Sequence, residues 1–142
     1  MQRLLRKFET AKRLVPKPVI RRSSEATPVG VIYFGSTSPA MSEAVEALEA
    51  RGIRLDTLRV RAFPFHDDVI DFVLQHEQVF VVEQNRDAQL RMLLVNEGGI
   101  DPARLVSVLH YDGTPITARF IIRDIAERLE SLNLAPRMKV VS

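Results

Sequence analysis

Five consecutive polar residues, Glu83, Gln84, Asn85, Arg86 and Asp87, stand between the apolar run Val79 to Val82 and Leu90, which opens a new apolar pattern. Two carboxylates, two amides and a guanidinium in one row admit two kinds of work. They can form a site, with Glu83 as a general base and Arg86 forking onto an anion. Or they can serve a crowded junction, because Asn and Asp are favoured at helix starts and any of these groups can bond a neighbouring element. Similar groups recur elsewhere: Ser36 and Thr37 after "VGVIYFG", Arg61 in "RAFPF", and His110 and Asp112 in "HYDG". Together they could hold an anion through Arg61, Arg86 and the amides near Ser38, with His110 as a second candidate base.

The elements around these residues alternate. Residues 2–15 place Leu4, Phe8, Ala11 and Val15 on one helical face, with basic residues over most of the rest. Pro16 and Pro18 lack amide donors and end that helix, so "PKPVI" is extended, and "RRSSEATP" is a polar loop. From Pro28 onward four apolar strands, "VGVIYF", "IRLDTLRVRA", "VFVV" and "LVSVLHY", each precede a helical pattern or a single turn. Ser38 is the expected cap of the first of these helices, with Pro39 at its first position. "FPFHDD" leads into a helix whose face is Val69, Phe72, Val73 and His76. Asn85 or Asp87 caps the next, and Thr117 the last. Continuous apolar strands separated by helices predict a three-layer α/β/α sandwich on a mostly parallel sheet of up to five strands. The expected division is residues 1–28 as a basic connector helix, edge strand and loop, and residues 29–142 as the α/β domain. In such sheets ligands sit beyond the carboxyl ends of the strands. All four polar clusters fall on that edge.

Composition narrows the classes. The chain has 142 residues, one domain's length, and no cysteine, which excludes disulfides, thiolate zinc sites and cysteine-held iron–sulfur clusters within it. No apolar run approaches the ~20 residues of a bilayer span, and no signal-peptide pattern opens the chain, so a cytoplasmic location without membrane attachment is expected. His66, His76 and His110 lack metal-ligand spacing, and neither a dinucleotide fingerprint nor a phosphate loop is present. Residues 1–22 hold eight basic residues and one acid, leaving a mildly acidic body with a basic arm. Such an arm suits an acidic partner, and without interleaved aromatics no nucleic acid is expected.

The motifs "KFETAKRLVPKPVI", "LRVRAFPF", "VFVVEQNRDAQLRMLL" and "SVLHYDGTPITARFI", in this order, resemble the C-terminal portion of the α subunit of 2-oxoacid:ferredoxin oxidoreductases, the 2-oxoglutarate type especially. The resemblance runs from about Lys7 to about Ile125. It implies a fold like the transketolase C-terminal domain, a five-stranded mixed sheet whose first strand, here "PKPVI", is antiparallel. It implies an oxidoreductase whose whole complex takes a 2-oxoacid, coenzyme A and oxidised ferredoxin to an acyl-CoA, carbon dioxide and reduced ferredoxin. Thiamine diphosphate, magnesium and iron–sulfur clusters would belong to that complex. The thiamine would lie between an upstream pyrimidine-binding domain of the α subunit and a thiamine-binding β subunit. No "GDG" diphosphate motif occurs here, so this chain is expected to be a fragment that holds no cofactor, supplies no catalytic residue and is inactive alone. The leading expectation is a non-catalytic, assembly-supporting domain whose "EQNRD" loop meets a partner. The alternative is a regulatory module binding a small ligand or anion at Arg61, Arg86 and Ser38.

Overall fold

The computed structural model describes residues 1–134, and of Phe8 the backbone alone. The elements in chain order are α1 (Gln2–Leu14), β1 (Val19–Arg21), β2 (Val29–Phe34), α2 (Ser38–Ala50), β3 (Asp56–Val60), α3 (Asp67–Leu74), β4 (Gln78–Glu83), α4 (Gln89–Asn96), β5 (Leu105–Leu109) and α5 (Ala118–Ser131). One-turn 3-10 helices at Gly35–Thr37 and Pro102–Arg104 precede α2 and β5. The sheet order is β1-β3-β2-β4-β5. β2, β3, β4 and β5 are parallel, and β1 pairs antiparallel with β3 at the edge. The expected mixed α/β sandwich is the one observed, with its antiparallel first strand at Val19–Arg21.

Strand alternation sends successive side chains to opposite faces, and the core divides accordingly. Phe80 and Val82 join Met41, Ala44, Val45 and Leu48 of α2 and Ile121, Ile125 and Leu129 of α5. Val79 and Val81 join Val69, Phe72 and Val73 of α3 and Leu90 and Leu94 of α4. Phe80, Leu58, Ile121 and Leu94 are fully buried, each worth roughly 1.5–3 kcal/mol against exposure. The start of β2 is tightly packed. A Cβ on Gly30 would sit 2.8 Å from Phe72 Cε1 and 3.1 Å from His76 Nδ1, so β2 approaches α3 closely only because that residue is glycine.

Three local expectations are corrected. Thr37, not Ser38, is the residue before α2, and it makes no side-chain cap, because the 3-10 turn runs directly into the helix. α3 ends at Leu74, so His76 is not on its face. It lies beyond the helix and is buried beneath the sheet edge. The residue before α4 is Ala88, in the left-handed region at φ 50°, and Asp87 plays no capping part.

Candidate functional site

β4 must end where α4 begins to descend the opposite way, and the first amides of α4 need acceptors. Glu83, the last residue of β4, supplies them. Its Oε1 accepts from Leu90 N at 2.6 Å and its Oε2 from Arg91 N at 3.2 Å. Asn85 completes the device: its Oδ1 accepts from Gln89 N, and its Nδ2 donates to Glu83 Oε1 at 3.0 Å. A carboxylate with no exposed surface is thus bonded to two helix amides and one side-chain amide, at the positive end of a helix dipole. The strand ends in a charge because the next helix needs one. Glu83 is not open to a substrate proton, so the general-base role weighed for it does not fit its surroundings.

Gln84 does a different job. In the order β1-β3-β2-β4-β5 the chain crosses from one side of β2 to the other, and the crevice where an α/β fold would take a ligand lies by the ends of β2 and β4. Gln84 spans it. Its Nε2 donates to Ser36 Oγ at 3.0 Å and Thr37 Oγ1 at 3.1 Å, and its Oε1 accepts from Ile116 N at 3.4 Å. One amide ties the loops after β2, β4 and β5 together.

The remaining candidates do not converge. Arg86 points outward and pairs with its neighbour Asp87 at 3.2 Å, both largely exposed, rather than with Glu83 or Asp112. Arg61 is exposed beyond β3. His110 packs edge-on against Phe120 and has Nε2 3.2 Å from Asp112 Oδ1 and 3.1 Å from Thr114 O. Asp112 accepts the hydroxyl and the amide of Thr114, and these bonds hold its carboxyl below the usual range. Ser36, Thr37 and Gln84 form one group, Glu83 and Asn85 a second, His110 and Asp112 a third. Arg61, Arg86 and Asp87 face solvent. The edge also exposes Phe34, Phe63 and Tyr111, each from the end of a different strand. Arginine beside exposed aromatics is the composition of an interface core.

Two arrangements escaped the sequence. At the opposite edge, Asp56 opens β3 nearly buried. Its Oδ2 lies 2.9 Å from His76 Nε2 and 3.1 Å from Arg22 Nη1, and its Oδ1 accepts from Ser23 N at 2.7 Å. Burial pushes the Asp56 carboxyl up, and the Ser23 amide, His76 and Arg22 outweigh it, holding it below the ordinary carboxylate range. His76 Nδ1 meets Phe72 O at 2.7 Å. Both ring nitrogens thus face oxygen atoms. The second arrangement is a cleft of about 340 Å³ between Leu4, Leu5 and Lys12 of α1 and the Phe63-Pro64-Phe65 segment. α1 rests lightly there: Leu4, Leu5 and Leu14 are each more than three-fifths exposed. Among the described residues no group of three or more His, Cys, Asp or Glu could hold a metal ion, and no helix is long and apolar enough to cross a membrane.

No family model matches the chain. Over 116 residues it is 35% identical to the α subunit of 2-oxoacid:ferredoxin oxidoreductase 2 from Aeropyrum pernix, a match covering 78% of this chain and 18% of that protein. The 2-oxoglutarate:ferredoxin oxidoreductase from Magnetococcus marinus, solved with 2-oxoglutarate, coenzyme A and succinyl-CoA, superposes with a TM-score of 0.75 at 22% identity, over 85% of this chain and 21% of that one. The α chain of a probable 2-oxoacid ferredoxin oxidoreductase from Thermoplasma acidophilum matches at 26% identity and TM-score 0.54, over 80% of this chain and 97% of that one. A split-gene transketolase, described as an inactive β4 tetramer, matches at TM-score 0.63 and 17% identity, over 84% of this chain and 43% of that one. The Magnetococcus and transketolase matches are likenesses of fold. The chain spans about a fifth of the length of the Aeropyrum and Magnetococcus proteins.

Proposed function

This chain is a relative of the α subunits of 2-oxoacid:ferredoxin oxidoreductases, and on that premise we propose that it is an assembly-supporting domain of such an enzyme. The chemistry of the whole, 2-oxoacid with coenzyme A and oxidised ferredoxin to acyl-CoA, carbon dioxide and reduced ferredoxin, is carried by other parts. The residues at the carboxyl edge do not fit a cofactor. Glu83 is enclosed and committed to α4, and Gln84 bonds the loops across the crevice, which supports the reading that thiamine diphosphate, magnesium and iron–sulfur clusters belong to the partners.

The observation that carries the reading is the surface of that edge. Phe34, Phe63, Tyr111, Arg61 and Arg86 are all exposed at that edge, whose loops Gln84 ties together. A rigid base with outward aromatic and guanidinium groups suits docking against a pyrimidine-binding domain or a thiamine-binding β subunit. The solved Thermoplasma α chain, matched over 97% of its length, supports treating a stretch of this size as a unit.

The test is reconstitution. The chain is mixed with the thiamine-binding β subunit and the pyrimidine-binding part of a 2-oxoacid:ferredoxin oxidoreductase, and association is followed by size-exclusion chromatography with light scattering. Association that weakens in a Phe63→Asp, Tyr111→Asp double variant is expected. A chain that stays free, or that binds thiamine diphosphate alone with micromolar affinity, overturns the reading.

A further inference from the structure

The two lateral edges of the sheet are finished differently. β1 is three residues long, follows Pro16 and Pro18, and carries Arg21, devices that keep a further strand from adding to an edge. β5, the other terminal strand, holds no proline, glycine or charge. His110 N donates to Glu83 O at 2.9 Å, which fixes the parity of the ladder: Val106, Val108 and His110 turn their amides and carbonyls toward β4. Those of Leu105, Ser107 and Leu109 point to the open side. The Leu105 carbonyl accepts from Arg91 Nε at 3.2 Å. Among the described residues no strand lies beside Ser107 and Leu109. The helix over this edge is α5, whose Phe120 sets its ring 4.8 Å from that of His110, the residue after β5. On the same side of α5, one and two turns further on, stand Asp124 and Arg128, bonded to each other at 2.9 Å and partly exposed.

We propose that β5 pairs antiparallel with β5 of a second copy of this chain, so that one sheet runs through a two-fold dimer. A row of outward N–H and C=O groups with no charge or proline beside it is a template for another strand. A two-fold axis at Val108 sets Ser107 opposite Leu109 of the second copy, and Leu109 opposite its Ser107. Each of these pairs exchanges both of its N–H···O bonds, so this register uses the open groups and leaves the Leu105 carbonyl with Arg91. The same axis lays α5 antiparallel beside α5 of the second copy. Asp124 of each copy then approaches Arg128 of the other, so the flank of α5 over this edge is complementary in charge to itself. That self-complementarity selects a second copy over a foreign strand. The contact is on the lateral edge of the sheet, not at the carboxyl ends of its strands. It can fail while the docking proposed above stands, and the reverse.

Light scattering after size exclusion follows the full chain from low to high micromolar concentration, and a reversible monomer–dimer equilibrium is expected. Ser107→Pro removes an amide that β4 does not use, so it should weaken the dimer at least tenfold with little change in melting temperature. Asp124→Lys and Arg128→Glu should each weaken the dimer by setting like charges across the axis. An equal mixture of those two variants should form a heterodimer about as tight as the native dimer, because the charges are again opposite. The Phe63→Asp, Tyr111→Asp double variant should leave the dimer intact. Thermal melts show which variants fold, and the mixing experiment carries the test if Ser107→Pro melts early. A chain monomeric at every concentration, a dimer indifferent to a folded Ser107→Pro or to both charge variants, a mixture that stays monomeric, or a dimer lost in the Phe63, Tyr111 variant overturns the proposal. So does a chain that is monomeric alone and binds the thiamine-binding β subunit in a manner abolished by Ser107→Pro, which assigns the edge to a foreign strand.

Discussion

At the scale of single residues, the two buried carboxylates do opposite kinds of work. Glu83 ends a strand and begins a helix, so its removal strands the amides of Leu90 and Arg91 in a buried place. Glu83→Ala is expected to destabilise the chain by roughly 2–3 kcal/mol, and Glu83→Gln, which keeps an acceptor oxygen, by less. Urea unfolding checks this as a lower midpoint with an unchanged slope. Asp56 makes the fold sensitive to acid. Its carboxyl is held below its ordinary value in the folded state, so the unfolded chain binds the proton first as pH falls. The stability it contributes is full above about pH 4 and is lost as pH falls through the folded value. Melting temperatures from pH 6 down to pH 2.5 should show the native chain converging on Asp56→Asn at the acid end. A constant gap between the two would rule out this linkage.

At the scale of elements, legibility followed distance along the chain. The parallel strands were readable because a strand buried on both faces is an unbroken apolar run, as in "VFVV". Thr117 was readable as a cap because its acceptor and the Phe120 amide lie within one helical turn. The cap of α4 was not: Asn85 was foreseen, but Glu83 reaches Leu90 and Arg91 across a loop that turns at the left-handed Ala88, and no propensity places alanine there. His76 and Asp56 meet only because α3 carries one back over the start of the other. The ten residues weighed as one site share the carboxyl edge but fall there into three separate groups and three solvent-facing side chains, because each cluster is bonded within its own loops. α1 is the weakest element, since it keeps Leu4, Leu5 and Leu14 largely in water. Amides of residues 2–14 should exchange with solvent far faster than those of β2 and β4. Protection equal to the sheet's, measured by native-state hydrogen exchange, would contradict this.

For the whole molecule, Arg86 separates folding from assembly. It is exposed and, among the described residues, bonded only to its neighbour Asp87, so Arg86→Ala should leave the melting temperature of the chain within a degree or so, as expected for a pair worth ~0–1 kcal/mol. In the assembled enzyme the same change should raise the dissociation constant for the partner without altering turnover once assembled. A lower melting temperature would mark Arg86 as structural, and intact assembly with lost turnover would place the loop in chemistry. The order β1-β3-β2-β4-β5 also has a consequence in time. β1 has no neighbour in this sheet until β3 follows it, and Arg22 and Ser23 lack the Asp56 carboxylate until then. The strands β2, β3 and β4 can collapse without it, so β1 joins a nucleus already formed. Its contacts would then be absent from the folding transition state. Arg22→Ala should accordingly speed unfolding and leave the folding limb of the chevron almost unmoved. The same lateness leaves the basic segment ahead of it free to meet another chain while the rest is still folding.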